Sequence, residues 1–173
     1  NTAEMFRSAY AIKAYDATFV DFNNDGFLDL LIAGEPAETN DQGMFLYQND
    51  GKGAFKEVPG LLPESVRSGR QLALMDYNDD GDMDVMVAGL NGGISLLRND
   101  GGNNNHYIKM KLVGLRAGSA KNNYFGIGVK VEVRAGELYS TLVVTDPNIH
   151  IGIGSRLKAD VIRITWTNGV PQN

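Results

Sequence analysis

The chain has 173 residues, a net charge of −5, no cysteine and 21 glycines. Without cysteine it has neither a disulfide framework nor a thiolate metal site, and an acidic chain without a basic cluster is a poor partner for nucleic acid. Its apolar runs are all shorter than the roughly 18 residues of a membrane-spanning helix, so no membrane span is expected. Frequent Asn-Gly, Asp-Gly and Gly-Gly pairs signal tight turns and predict an all-β fold.

The first predicted elements form a repeat. Residues 17–34 align with residues 72–89 at an offset of 55, and residues 44–51 align with residues 94–101 at an offset of 50. Each repeat is predicted to run through a strand, an acidic loop, a short buried strand, a turn, a third strand, an Asn-Asp-Gly turn and a further strand. A unit of about 50 residues made of short strands has the size of a propeller blade.

The acidic loop of each repeat has a spacing that predicts a calcium site. Side-chain oxygens fall at positions 1, 3, 5 and 9, glycine (Gly26 or Gly81) lies at position 6, and position 7 offers its backbone carbonyl. Ca²⁺ takes about 6–8 oxygen ligands, and alternate positions of a tight loop direct oxygens toward one point. The predicted ligands of two calcium ions are Asp21, Asn23, Asp25, Phe27 and Asp29 in the first loop, and Asp76, Asn78, Asp80, Asp82 and Asp84 in the second.

An acidic turn without an ion is the competing interpretation, because Asp, Asn and Gly also favour turns. Two loops of equal spacing, each crowded with carboxylates that repel one another, favour a bound cation. Position 12 is Ile32 in one loop and Val87 in the other, so neither loop has the glutamate of an EF-hand. Mg²⁺ suits the loops less, since it requires a stricter octahedron and keeps its waters.

Beyond residue 105 the sequence alternates apolar and polar residues, as half-buried antiparallel strands do. Val129, Val131 and Val133, for example, alternate with Lys130 and Glu132. We therefore predict two propeller blades over residues 1–101, a linker over 102–105, and a small antiparallel β-sandwich or barrel over 106–173. The predicted fold class is a partial β-propeller of about two blades followed by this second all-β domain.

The segment from Phe19 to Asp29, and its partner from Leu74 to Asp84, resemble the FG-GAP (integrin α-type) repeat, and the resemblance extends over about residues 10–101. It implies a β-propeller whose blades hold Ca²⁺ and serve adhesion and partner binding. Residues 105–108, 126–131, 150–154 and 161–169 resemble the ASPIC/UnbV domain of cartilage acidic protein-like proteins. Two blades do not close a ring of four to eight, so we expect a portion of a longer chain whose first residue is a mature or truncated start.

We expect a secreted, periplasmic or cell-surface binding scaffold with a protein or polysaccharide partner. No nucleophile elbow and no complete phosphate-binding glycine motif is present, so we expect no enzyme activity and assign no catalytic residue. His106 and His150 are predicted to be structural. Two alternatives stay open: a carbohydrate-binding or carbohydrate-processing surface protein, and an accessory subunit of a larger assembly in which calcium is purely structural.

Overall fold

The computed structural model describes residue 6 and residues 12–38, 41–101, 105–115 and 122–173, which form thirteen strands and no helix. Every strand pairing in these residues is antiparallel. The predicted all-β fold class is confirmed. Within the described residues there is accordingly no helix of the length and apolarity that a membrane crossing requires. The chain divides into two compact units: Asn1–Phe22 with Phe27–Gly102, and Asn23–Gly26 with Asn103–Asn173.

The first unit contains two antiparallel meanders, each with its strands side by side in chain order. The first meander has four strands, namely β1 (Ile12–Val20), β2 (Asp29–Pro36), β3 (Met44–Asn49) and β4 (Phe55–Glu57). The second meander has three described strands, namely β5 (Gln71–Met75), β6 (Asp84–Ala88) and β7 (Ile94–Leu97). Short strands joined by tight turns produce this arrangement because neighbours in sequence pair directly.

The two meanders have the same strand register, which confirms the repeat. In the first, Ala17 lies opposite Ile32 and Val20 opposite Asp29. In the second, the residues 55 positions later pair in the same way, with Leu72 opposite Val87 and Met75 opposite Asp84. The faces that they bury differ, however: Leu31 of β2 and Val87 of β6 are each 1% exposed, and Val87 is equivalent to Ile32, which points to the other face of β2.

A shared apolar core joins the two meanders of the first unit. The buried cluster consists of Val20, Leu31, Ala33, Met44, Leu46, Leu72 and Val87. Fully burying a side chain of this kind contributes about 1.5–3 kcal/mol. A polar contact adds to the packing, since the Leu72 amide donates to Oδ2 of Asp16 at 2.8 Å. The acidic loops lead into β2 and β6, so this core fixes the position of both loop ends.

The strand after the second Asn-Asp-Gly turn departs from the prediction. In the first meander the turn leads into β4, where Phe55 pairs with Asn49 of β3. After the second turn the chain instead enters β8 (His106–Met110), which pairs with β11 (Ile149–Gly154). The side chains explain why this strand pairs with β11, because Ile108 lies opposite Ile151 and extends the buried apolar face of β11. Of the predicted linker 102–105, only Asn105 lies within the described residues.

The second unit contains β8 and β11 and a separate four-stranded sheet. That sheet has the order β10 (Leu138–Val143), β9 (Lys130–Ala135), β12 (Val161–Thr165) and β13 (Pro171–Gln172). The alternation read from the sequence is confirmed on β9, where Val131, Val133 and Ala135 are buried while Lys130 and Arg134 are exposed. Closure of the two sheets into a sandwich or barrel stays a prediction.

Candidate functional site

The second acidic loop connects β5 to β6 and reverses the chain in a few residues. It needs two left-handed backbone positions, at Asp79 (φ 64°) and Gly81 (φ 91°). Glycine adopts such angles without a steric penalty, and aspartate tolerates them better than most residues. The prediction that Gly81 provides an unusual backbone torsion is confirmed.

Side-chain oxygens of the second loop hold the loop's own amides. The Gly81 amide donates to Oδ2 of Asp76 at 2.8 Å, and the Asp82 amide donates to Oδ1 of Asp80 at 2.9 Å. Asn78 and Asp80 make two hydrogen bonds. The Asp80 backbone amide donates to Oδ1 of Asn78 at 3.3 Å, and Nδ2 of Asn78 donates to Oδ2 of Asp80 at 2.6 Å. Positions 1, 3 and 5 therefore act together as one hydrogen-bonded turn.

Position 9 of the second loop is a buried brace. Asp84 has 0% of its surface exposed. Its Oδ2 accepts a hydrogen bond from the Tyr77 amide at 3.0 Å, and its Oδ1 accepts one from the Asn99 amide at 2.7 Å. One carboxylate thus ties the start of the loop and the end of β7 to the first residue of β6. Each carboxylate oxygen has a further lone pair that these bonds leave unused.

The first loop repeats these features at the equivalent positions. Asn24 (φ 58°) and Gly26 (φ 93°) are its left-handed residues, and Asn23 contacts Asp25 through bonds of 3.0 and 3.2 Å. Asp29 is also 0% exposed, and its two oxygens accept the Phe22 amide at 3.3 Å and the Asn49 amide at 2.8 Å. The two loops therefore share their left-handed positions, the contacts between positions 3 and 5, and the two hydrogen bonds of the aspartate at position 9.

Asn49 and Asn99 are braces that the sequence analysis treated only as turn residues. Besides the hydrogen bond from its backbone amide to the position-9 aspartate, Asn49 makes two side-chain hydrogen bonds. Its Nδ2 donates to the Leu28 carbonyl at 3.0 Å, and its Oδ1 accepts one from the Gly51 amide at 2.9 Å. Asn99 accepts the Gly101 amide at 3.0 Å, and its Nδ2 lies 2.7 Å from the Phe22 carbonyl and 3.4 Å from the Met83 carbonyl. Their recurrence at an offset of 50 residues is the feature of the sequence that could have identified them.

The remaining predicted ligands differ in their surroundings. Asp21 is buried at the end of β1, and Asp25 is half-buried. At position 7, the Phe27 ring packs against Gly51 and the Asp82 carboxylate lies against Gly101. The position-7 carbonyls therefore stay predicted ligands, and the side chains at that position have packing contacts of their own.

The residues present have the donor chemistry that a hard cation requires. Carboxylate, amide and backbone carbonyl oxygens are the ligands of Ca²⁺ in proteins, and residues 76–84 include five aspartates and no lysine or arginine. Nowhere in the described part of the chain do three carboxylate or imidazole groups alone gather into a cation site. An ion in these loops would thus depend on the Asn side chains and backbone carbonyls as well as on the aspartates.

The paired asparagines allow a matched stability test. Asn99→Ala is expected to lower the free energy of unfolding by about 2–3 kcal/mol and Asn49→Ala by about 1–2 kcal/mol, because each hydrogen bond removed contributes about 1 kcal/mol. Asn99 has the additional bond to the Phe22 carbonyl, at 2.7 Å, that joins the two meanders. Urea denaturation measures both. Equal losses would show that this additional bond contributes nothing to stability.

Residues 21–87 match the FG-GAP-like repeat family. The matched segment contains both acidic loops and the whole of the first meander after β1, and it ends within β6. No curated protein matches the chain. The resemblance of residues 106–173 to the ASPIC/UnbV domain stays a prediction.

Proposed function

We propose that the chain is part of a calcium-binding β-propeller protein that acts outside the cytoplasm as a binding or adhesion scaffold. One Ca²⁺ would be held by Asp21, Asn23, Asp25, Asp29 and the Phe27 carbonyl. The other would be held by Asp76, Asn78, Asp80, Asp84 and the carbonyl or carboxylate of Asp82.

The observation that carries the proposal is the duplication of loop geometry. Two segments 55 residues apart have left-handed residues at the same positions, the same contacts between positions 3 and 5, and the same buried aspartate at position 9. Turn formation alone does not require a row of acidic side chains in both copies, because Asn, Ser and Gly turn the chain equally well. A cation bound in each loop is the simplest reason why both copies have so many acidic side chains.

Calcium in this proposal has a structural role at the turns. Bound Ca²⁺ neutralises carboxylates that otherwise repel one another, and an ion that binds only the folded state stabilises that state. In this proposal positions 1, 3 and 5 supply oxygen ligands. Asp29 and Asp84 keep the loop ends in place by accepting hydrogen bonds from backbone amides.

The scaffold role and the location outside the cytoplasm rest on the family of the matched segment. FG-GAP repeats typically belong to extracellular or surface proteins of adhesion type, and residues 21–87 match that family. We propose a binding module and not an enzyme, with a protein or polysaccharide partner.

Metal stoichiometry tests the calcium assignment. The wild-type chain is expected to bind two Ca²⁺ ions per molecule, and Asp21→Ala and Asp76→Ala are each expected to bind one, measured by equilibrium dialysis with elemental analysis. Asp25→Asn and Asp80→Asn remove a charge while keeping an acceptor oxygen, so they should weaken one site each with less disturbance of the turn. Asp41→Ala removes an exposed aspartate outside both loops and serves as the control.

Two results would contradict the calcium assignment. If the wild-type chain bound no calcium at millimolar concentration, or if the loop variants bound as many ions as the control variant, the loops would be turns without a metal function.

A further inference from the structure

Three strands of the four-stranded sheet in the second unit, β10, β9 and β12, present an exposed face with several charged side chains. Alternation along the strands turns Lys130, Glu132 and Arg134 of β9 to this face, with Tyr139, Thr141 and Val143 from β10 and Val161, Arg163 and Thr165 from β12. The register sets them in three rows, with Arg134 between Tyr139 and Val161, and Glu132 between Thr141 and Arg163. We call this surface the basic face.

The net charge of the basic face is opposite in sign to that of the whole chain. Lys130, Arg134 and Arg163 outnumber the single carboxylate of Glu132, which leaves a net charge of +2 on a chain whose net charge is −5. Lys130 and Arg134 lie about 13 Å apart along β9, and Arg163 on the next strand lies roughly 7–8 Å from each. The three cations are therefore spread over two neighbouring strands and do not converge on one point.

Tyr139 gives the basic face an aromatic surface held in a defined orientation. Tyr139 is 59% exposed, and its hydroxyl donates a hydrogen bond to Oε1 of Glu132. The same carboxylate oxygen lies 3.0 Å from Nζ of Lys130. The hydrogen bond from Tyr139 lowers the pKa of Glu132 below its usual value, so the carboxylate that orients the ring stays charged at neutral pH.

We propose that the basic face binds an acidic polysaccharide, one whose sugars bear carboxylate or sulfate groups. Three cations that alternate between two neighbouring strands complement an extended chain of anions, and opposite charge accelerates and orients such an encounter. The exposed Tyr139 ring offers a flat apolar surface for a sugar ring. Thr141 and Thr165 add hydroxyls that both donate and accept hydrogen bonds, as sugar hydroxyls require.

A flat and open surface suits this ligand better than a globular acidic protein. The charged part of the face spans about 10 Å from β10 to β12, and the exposed side chains of Val143 and Val161 lie beside Lys130 and Arg134 respectively. A protein interface of usual size buries about 800 Å² on each partner and has an apolar centre. An extended polymer needs only the narrow charged strip that this face provides.

Binding to heparin, a sulfated polysaccharide, tests the proposal with the whole chain at a fixed calcium concentration. Wild-type protein is expected to bind heparin and not uncharged dextran, and to lose at least tenfold in affinity between about 50 and about 200 mM salt, because salt screens exposed charges. Arg134→Gln/Arg163→Gln is expected to reduce affinity at least tenfold. Tyr139→Ala is expected to reduce it at both salt concentrations alike, since stacking is not screened.

The matched control is Lys52→Gln/Lys56→Gln, which removes two exposed positive charges from the first unit and leaves the same net charge. It should bind heparin as the wild-type chain does, and thermal melts should show that all variants remain folded. If wild-type protein failed to bind heparin, or if the control lost affinity equally, the proposal would be wrong. Equal binding to polyaspartate or to single-stranded DNA would assign the face to polyanions in general and would also overturn it.

Discussion

Replacing Asp84 with alanine is expected to lower the free energy of unfolding by about 3–5 kcal/mol, one of the two largest effects that we predict. The carboxylate is fully buried and accepts the amides of Tyr77 and Asn99 at 3.0 and 2.7 Å. Removing it leaves two donors without their acceptor and breaks a charged hydrogen-bond network, each a large cost in a buried place. Urea denaturation with a chelator present measures this contribution separately from any effect of calcium.

Three further variants make the interpretation specific. Asp29→Ala should cost a similar amount, because its carboxylate holds the Phe22 and Asn49 amides in the same way. Asp84→Asn should cost less than Asp84→Ala, since one oxygen still accepts a hydrogen bond. The exposed control Asp41→Ala should stay within about 0.5 kcal/mol of the wild-type chain. A loss below about 1 kcal/mol for Asp84→Ala would show that the brace is dispensable.

Calcium is expected to raise the melting temperature of the chain by about 10–20 °C, the second large effect. An ion at a hundred times its dissociation constant contributes about 2.7 kcal/mol, so two occupied loops contribute about 5 kcal/mol. For a chain of this size 1 kcal/mol corresponds to about 2–4 °C. Calorimetry in the presence of calcium, and again after exchange into a chelator, measures the difference.

The size of the calcium effect should follow the number of intact loops. Asp21→Ala and Asp76→Ala should each retain about half of the shift, and the double variant should melt at the same temperature with and without calcium. Mg²⁺ at the same concentration should give a smaller shift, because it exchanges its waters for protein oxygens less readily. A melting temperature that calcium leaves unchanged in the wild-type chain would contradict a stabilising role for the ion.

The sequence predicted the repeat well because its signals are local. Gly26 and Gly81 sit where the backbone turns left-handed, and the offset of 55 between the loops reappears as an identical strand register. The buried Val131 and Val133 likewise followed from alternation along one strand. Such features depend on neighbours a few residues away, which a single sequence displays directly.

Contacts between distant residues left no such signal. Asn99 reaches the Phe22 carbonyl across 77 positions, and the pairing of β8 with β11 joins residues about 40 positions apart. The double engagement of Asp29 and Asp84 was missed for the same reason, because a carboxylate that binds backbone amides looks in the sequence like one that binds a cation. Only three-dimensional proximity separates these roles, and for Asp29 and Asp84 the two roles are compatible.

The division of work inside each loop has a consequence for how quickly the protein responds to its surroundings. Asp84 and Asn99 keep the ends of the second loop together by hydrogen bonds that need no metal, so the proposed calcium ion would find these ends already in place. Little ordering entropy would then be lost when the ion binds. Ion exchange should then run at the speed of diffusion and desolvation, and the protein would track changes in ambient calcium without having to refold.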